Sequence, residues 1–296
     1  MSSLLKKYMG LLLLGALAFG YILPSISVLK PFLPYTLITM LFFSFLKLKL
    51  NIKYFLRPQL AFYPFVVWLI VPATTIFFTR NLDSAYATGL FFTAITPSAL
   101  GSPVVISLLN GDRELNISFV VLFNLAAPLT YALLPLLMLK GQNSVNVPTT
   151  AIMSKVAFIV FLPLLLASAV RKFKKLTDAI NKKSGNANAL IMLATVAIAV
   201  AASANRIKSA EAAVIFKLFS LTFGMAIMNY GLGFIASVKN NKLYRTLPVV
   251  FGHKNTVLSI LVCISNFSDE AAVPAVFYLI SHHILNAAML HLFPAK

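Results

Sequence analysis

Apolar runs of about twenty residues, the length an α-helix needs to cross a hydrocarbon core, recur from one end of this chain to the other. No other feature restricts the possible folds as far. A backbone in lipid must satisfy its hydrogen bonds internally, and only helices and closed barrels do so. Reading the runs between charged or Pro/Gly/Asn-rich breaks predicts ten spans, at 8–27, 32–46, 59–79, 84–109, 115–139, 150–170, 187–204, 212–238, 247–267 and 271–292. The second is short for a full crossing. Composition agrees: 59% of the 296 residues are hydrophobic and 11% are charged, against about 25% charged in soluble domains. The expected fold class is an all-α membrane protein.

The formal charge of +18 would suggest nucleic acid in a soluble chain. Here Lys and Arg collect between the apolar runs, where they set topology, and nucleic acid is not an expected partner. With the N-terminus placed inside, 17 of the 25 Lys and Arg fall on the cytoplasmic side. Five, Lys30, Arg80, Lys140, Arg206 and Lys208, fall outside, and Lys155, Lys217 and Lys254 lie within runs. Both termini are therefore expected in the cytoplasm, with the bacterial inner membrane as the expected location. The opening "MSSLLKKYMGLLLLGALAFGYILPS" has the look of a signal peptide. Because its apolar run continues and further spans follow, it reads as the first span. Cys263 is the single cysteine, which leaves no disulfide and no cysteine metal pattern. No cofactor and no metal are expected.

Ten spans divide into two sets of five, residues 1–140 and 141–296, and after an odd repeat the second copy inserts upside down. The fourth and ninth runs are each interrupted, by "ITPSALGSPVV" and "VFGHKNTVL". Paired interruptions at corresponding positions are the best sequence pointer to a secondary transporter's binding site. Pro97 and Pro103 cannot donate backbone hydrogen bonds, and Gly101 and Gly252 permit close backbone approach. Broken helices at membrane depth would aim their N-termini at anions and their C-terminal carbonyls at cations.

At this point the sequence resembles the bile acid:sodium symporter (BASS) transporters. The likeness runs through "RPQLAFYPFVVWLIVPAT", "TPSALGSPVVISLLNGDRELNISFVVLFNLAAPLT", "RTLPVVFGHKNTVLS" and "VPAVFYLISHHILNAAM". It implies ten helices in two inverted repeats. Spans one, two, six and seven would form a panel, and spans three to five and eight to ten a core in which the fourth and ninth cross. It also implies sodium-coupled import of organic anions by movement of core against panel.

The positions that the resemblance assigns to sodium are altered. Val250 stands at the family's ninth-span glutamate and Lys254 at the glutamine four residues on. The third-span glutamine falls near Val67 or Trp68, the fourth-span Ser-Asn pair is Ser102-Pro103, and the fifth-span hydroxyl ligands are Phe123 and Asn124. Sodium requires a shell of oxygens that Val, Phe and Pro side chains do not supply. The substrate positions persist, with Asn255 beside the crossover and His282 in the tenth span. Ser102, Asn124 and Thr256 complete the candidate substrate set, and Lys254 and His253 are the candidate coupling residues.

All seven acids, Asp83, Asp112, Glu114, Asp178, Glu211, Asp269 and Glu270, lie in loops or at span ends, so Lys254 has no carboxylate available inside. A lone cation at bilayer depth costs about 2.5–3.5 kcal/mol on insertion scales. The expectation is that its ammonium fills the sodium position and bridges carbonyl ends of the broken helices. Two mechanisms stay open: a permanently charged lysine in a uniporter or exchanger, or coupling to protons, with His253 and His282 titrating near neutrality. The alternative is a conventional sodium symporter. His282-His283 are not read as a metal site, because adjacent helix positions diverge. Asn116-Ile117-Ser118 and Asn266-Phe267-Ser268 match the glycosylation pattern by chance. An enzyme is not expected, since Ser102 and His282 have no acid to orient them.

Overall fold

The computed structural model describes residues 3–47, 58–139, 147–237 and 240–293. Those residues are helical and form no sheet, with a single isolated β-bridge between Ser98 and Lys254. The boundary at 140/141 between the two expected halves lies outside the described residues, as do Lys49, Lys53, Arg57, Lys140, Lys239 and Lys296 of the charge count.

The chain opens with α1 (Ser3–Ile22), followed by a 3-10 segment (Pro24–Phe32) and α2 (Leu33–Leu46). Residues 23–27, read as the end of the first span, thus leave the α-helix. Pro24 fixes φ and lacks an N–H group, which ends the α-helix there. Next come α3 (Pro58–Phe65), a π-helical turn (Val66–Ile70) and α4 (Val71–Thr79). Pro72 cannot bond the carbonyl four residues before it and its ring pushes that carbonyl away, which accounts for the widened turn.

Two interrupted segments follow the same plan. The first is α5 (Ser84–Ile95) and α6 (Ser102–Leu108), and the second is α12 (Leu247–Gly252) and α13 (Thr256–Asn266). Between them run α7 (Arg113–Met138), α8 (Thr149–Arg171), α9 (Lys174–Ser209), α10 (Ala212–Ala236) and the short α11 (Asn241–Tyr244). The last helix is α14 (Asp269–Leu292). Helix α9 corrects the sequence reading of its span: it starts well before residue 187 and makes the basic stretch 174–186 helical. Lys, Leu and Ala continue a helix once it is nucleated, and no proline interrupts them.

Among the described residues, seven helical stretches are long and apolar enough to cross a membrane, and α1, α5 and α13 are shorter apolar helices. Large apolar side chains cover the outside, among them Leu137, Phe158, Leu165 and Phe216. An aqueous surface would not carry them so densely, and the chain is an integral membrane protein.

Two apolar cores meet along three helices. In α5, Leu90 and Ala94 face one core while Phe91, Phe92 and Ile95 face the other. In α7, Phe119 and Phe123 oppose Val120 and Tyr131, and in α14 Phe277 and Tyr278 oppose Val276 and Leu279. A helix that is apolar on all sides belongs in the interior. These three helices enclose the two interruptions. At one end Arg245 Nη1 donates to the Leu109 carbonyl at 3.0 Å, and the Asp112 amide donates to Thr246 Oγ1 at 2.7 Å. The start of the second interrupted segment is thereby tied to the end of the first.

Candidate functional site

The two breaks cross. Thr96, which precedes Pro97, takes an extended conformation (φ −62°, ψ 133°), as the proline ring requires of its neighbour. Past it, the Ala99 amide donates to the His253 carbonyl at 2.7 Å, and the Asn255 amide donates to the Pro97 carbonyl at 2.8 Å. This two-bond ladder satisfies backbone groups that lipid could not.

The last carbonyls of a helix have no partner within it. At the end of α5 two of them find Lys254: Nζ donates to the Ala94 carbonyl at 2.8 Å and to the Thr96 carbonyl at 3.1 Å. Lys254 is 1% exposed, and among the described residues no carboxylate lies within salt-bridge distance of it. The negative end of the α5 dipole supplies the compensating field.

Asn124 braces the crossing from α7. Its Nδ2 donates to the Ser98 carbonyl at 2.9 Å and to the Val120 carbonyl at 2.7 Å, while its Oδ1 accepts from Asn255 Nδ2 at 3.0 Å. Ser102 donates to the Ala99 carbonyl at 2.8 Å and lies 2.9 Å from both amide atoms of Asn116. Thr256 is buried, and its backbone amide donates to the Lys254 carbonyl at 2.8 Å. Ser102, Asn124, Lys254, Asn255 and Thr256 thus share one neighbourhood.

His253 and His282 form a second group on the flank of α14. Their ring centroids are 4.5 Å apart, and His283 stands 4.4 Å from His282. Adjacent positions on one helix leave in directions about 100° apart, but imidazoles are long enough to converge in the same crevice. The divergence expected from sequence does not hold for these rings. His253 Nδ1 lies 3.2 Å from Asn286 Nδ2, and Tyr230 Oη donates to Asn286 Oδ1 at 2.7 Å. Gly252 is required here, because the Tyr230 ring packs where a side chain would start.

Sequence alone does not single out several residues of these networks. Asn116 stands there only in a glycosylation pattern, and Asn286, Tyr131 and Thr96 belong to no motif. Tyr131 and Thr96 hydroxyls meet at 2.6 Å. A polar residue in a spanning run is itself a signal, and Asn116 and Asn286 carry it.

Of the positions that the resemblance assigns to sodium, Val67, Val250 and Phe123 pack as hydrocarbon, while Lys254, Ser102 and Asn124 are hydrogen-bonded at the crossing. Val67 and Val250 are buried, and the Phe123 ring stacks on Tyr63 with centroids 4.3 Å apart and meets Trp68 edge-on at 5.3 Å. Away from the crossing, a polar cavity of about 350 Å³ is lined by Ser27, Lys30, Asn205, Arg206 and Asp269. Lys30 pairs with Asp269 at 2.8 Å, and Arg206 with Glu270 at 2.9 Å.

The profile of the Sodium Bile acid symporter family matches residues 36–210. That match runs from α2 through α9 and includes the first interrupted segment. No curated protein matches the chain individually. With more than half of its length covered by the family profile and an all-helical, lipid-facing architecture, this chain belongs to the sodium bile acid symporter family.

Proposed function

We propose that this protein is a secondary transporter of a small organic anion in which the Lys254 ammonium takes the place of coupling sodium. One observation carries the reading: a fully buried ammonium bonded at 2.8 and 3.1 Å to carbonyls at the end of α5. Those oxygens, and the dipole end behind them, suit any cation of that size. The packing of Val67, Val250 and Phe123 supports the same reading, since those side chains offer sodium no oxygen ligands.

In this reading the chain is a ten-span inverted repeat with both termini in the cytoplasm of a bacterium. Spans one, two, six and seven form a panel against which the rest rocks. Asn255, Thr256 and His282 meet the anion. Ser102 and Asn124 have their hydrogen bonds committed to the crossing, and they hold its shape. His253 positions Lys254 from the adjacent residue. With the positive charge covalently attached, the cycle runs as uniport or exchange while the amine stays charged, and as proton-coupled transport where the amine releases its proton during the cycle. The Lys30–Asp269 and Arg206–Glu270 pairs link the 3-10 segment and the end of α9 to the start of α14. Movement of the core must break them, and half-exposed pairs worth about 0–1 kcal/mol each permit that.

Counterflow in proteoliposomes with a panel of carboxylates, with and without sodium, tests the proposal. Wild type should transport equally in both, and Lys254→Gln should be inactive or newly cation-dependent. Sodium stimulation of wild type would instead establish the second reading, a conventional sodium symporter, which the family match favours.

A further inference from the structure

We infer that His253, His282 and His283 form a binding site for one divalent transition-metal cation of the zinc or cobalt type. Each of the three offers a ring nitrogen, and those atoms all lie within 4.8 Å of one another. A tetrahedral ion with bonds of 2.0–2.1 Å needs ligand nitrogens roughly 3.3 Å apart, so the rings must close by about the width of a bond. Among the described residues no hydrogen bond holds the His282 ring in place. It is 1% exposed, and neither Nδ1 nor Nε2 has a hydrogen-bond partner. A buried imidazole with both nitrogens unsatisfied is costly in an interior, and a metal would satisfy one of them. Gly101 leaves room beside Cε1 and Nε2 of His253.

The donor set selects the ion. Three neutral imidazoles without carboxylate suit zinc, cobalt, nickel or copper and not the oxygen-seeking calcium or magnesium. Three histidines leave a fourth position open to water. A supporting residue is also present. Metal-bound histidines hand their second nitrogen to an outer partner that fixes the ring, and Asn286 lies 3.2 Å from His253 Nδ1. With its amide turned so that Oδ1 accepts from Nδ1–H, Nδ2 donates to Tyr230 Oη, and Tyr230 donates to the His282 carbonyl at 3.2 Å. That arrangement leaves Nε2 of His253 with a lone pair for the metal. His283 is the least buried of the three.

Titration of the chelator-stripped protein in detergent with Co²⁺, followed by its visible absorption and by Zn²⁺ competition, tests the site without any transport measurement. One equivalent should bind with the bands of a low-coordinate nitrogen site. His253→Gln, His282→Gln and His283→Gln should each weaken binding at least tenfold, while His291→Gln, at the exposed end of α14, should leave it unchanged. Asn286→Leu should cost about tenfold, the lower end for an outer partner, and Asn286→Asp should restore or raise affinity. His283→Cys guards against mere misfolding, because it should keep the metal and add a thiolate charge-transfer band. Binding that survives all three glutamine substitutions, binding that follows His291, or no Co²⁺ spectrum at millimolar metal would overturn the inference.

Discussion

The molecule holds positive charge in two opposite ways. Lys254 is sealed at the helix crossing and, among the described residues, bonded only to backbone carbonyls, whereas Lys30 and Arg206, with side chains 30% and 54% exposed, each face a carboxylate beside a polar cavity. The exposed pairs are screened by water and salt, so they form and break at little cost. The buried ammonium has no such screen. Removing its partners, or removing it, leaves desolvated groups unpaired. One region suits a fixed element of a site, and the other suits a reversible fastening between moving parts.

The sharpest way to break this comparison is Lys254→Gln. Its transport rate in counterflow should fall at least about 100-fold, equivalent to about 2.7 kcal/mol at 1.36 kcal/mol per decade. A variant that retains wild-type flux without any added cation would show that the two regions do not differ in function. Next in size is Asn124→Leu, which orphans the Ser98 carbonyl and the Asn255 amide. Each unsatisfied group costs about 1–3 kcal/mol, and thermal unfolding in detergent should show the largest drop among the substitutions around the crossing.

Gly252→Ala should destabilise by about 1–3 kcal/mol through overpacking against Tyr230. The double variant with Tyr230→Leu should recover most of the loss, and additive losses would contradict the packing described. The smallest effect belongs to Lys30→Ala or Asp269→Ala, about 0–1 kcal/mol of stability. Their signature is salt dependence: raising salt from 0.15 M to 1 M, where screening shortens from about 8 to 3 Å, should lower wild-type stability toward that of the variants. Equal salt responses in wild type and variant would show that the pair contributes nothing.

Much of the fold is legible in residue order alone because lipid permits so few solutions. Runs such as 115–139 and 212–238 announce helices, and the prolines at 97 and 103 announce a break. The boundaries that sequence misplaces have local causes. The basic stretch at 174–186 reads as a loop by charge, yet it contains good helix formers and simply prolongs α9. Residues 23–27 read as membrane helix by hydropathy, yet Pro24 turns them into a 3-10 segment.

At the site, residue identity revealed that Lys254 lies in an apolar run with no acid near it in sequence, because one charge among hydrophobic neighbours is conspicuous in one dimension. Only the tertiary structure decided what it touches. Ala94 and Thr96 are 160 and 158 positions away, and they offer backbone oxygens that every residue possesses, so no side-chain pattern could single them out. The same holds for the three histidines: two are neighbours in sequence, and the third joins them only because the second break folds back against α14.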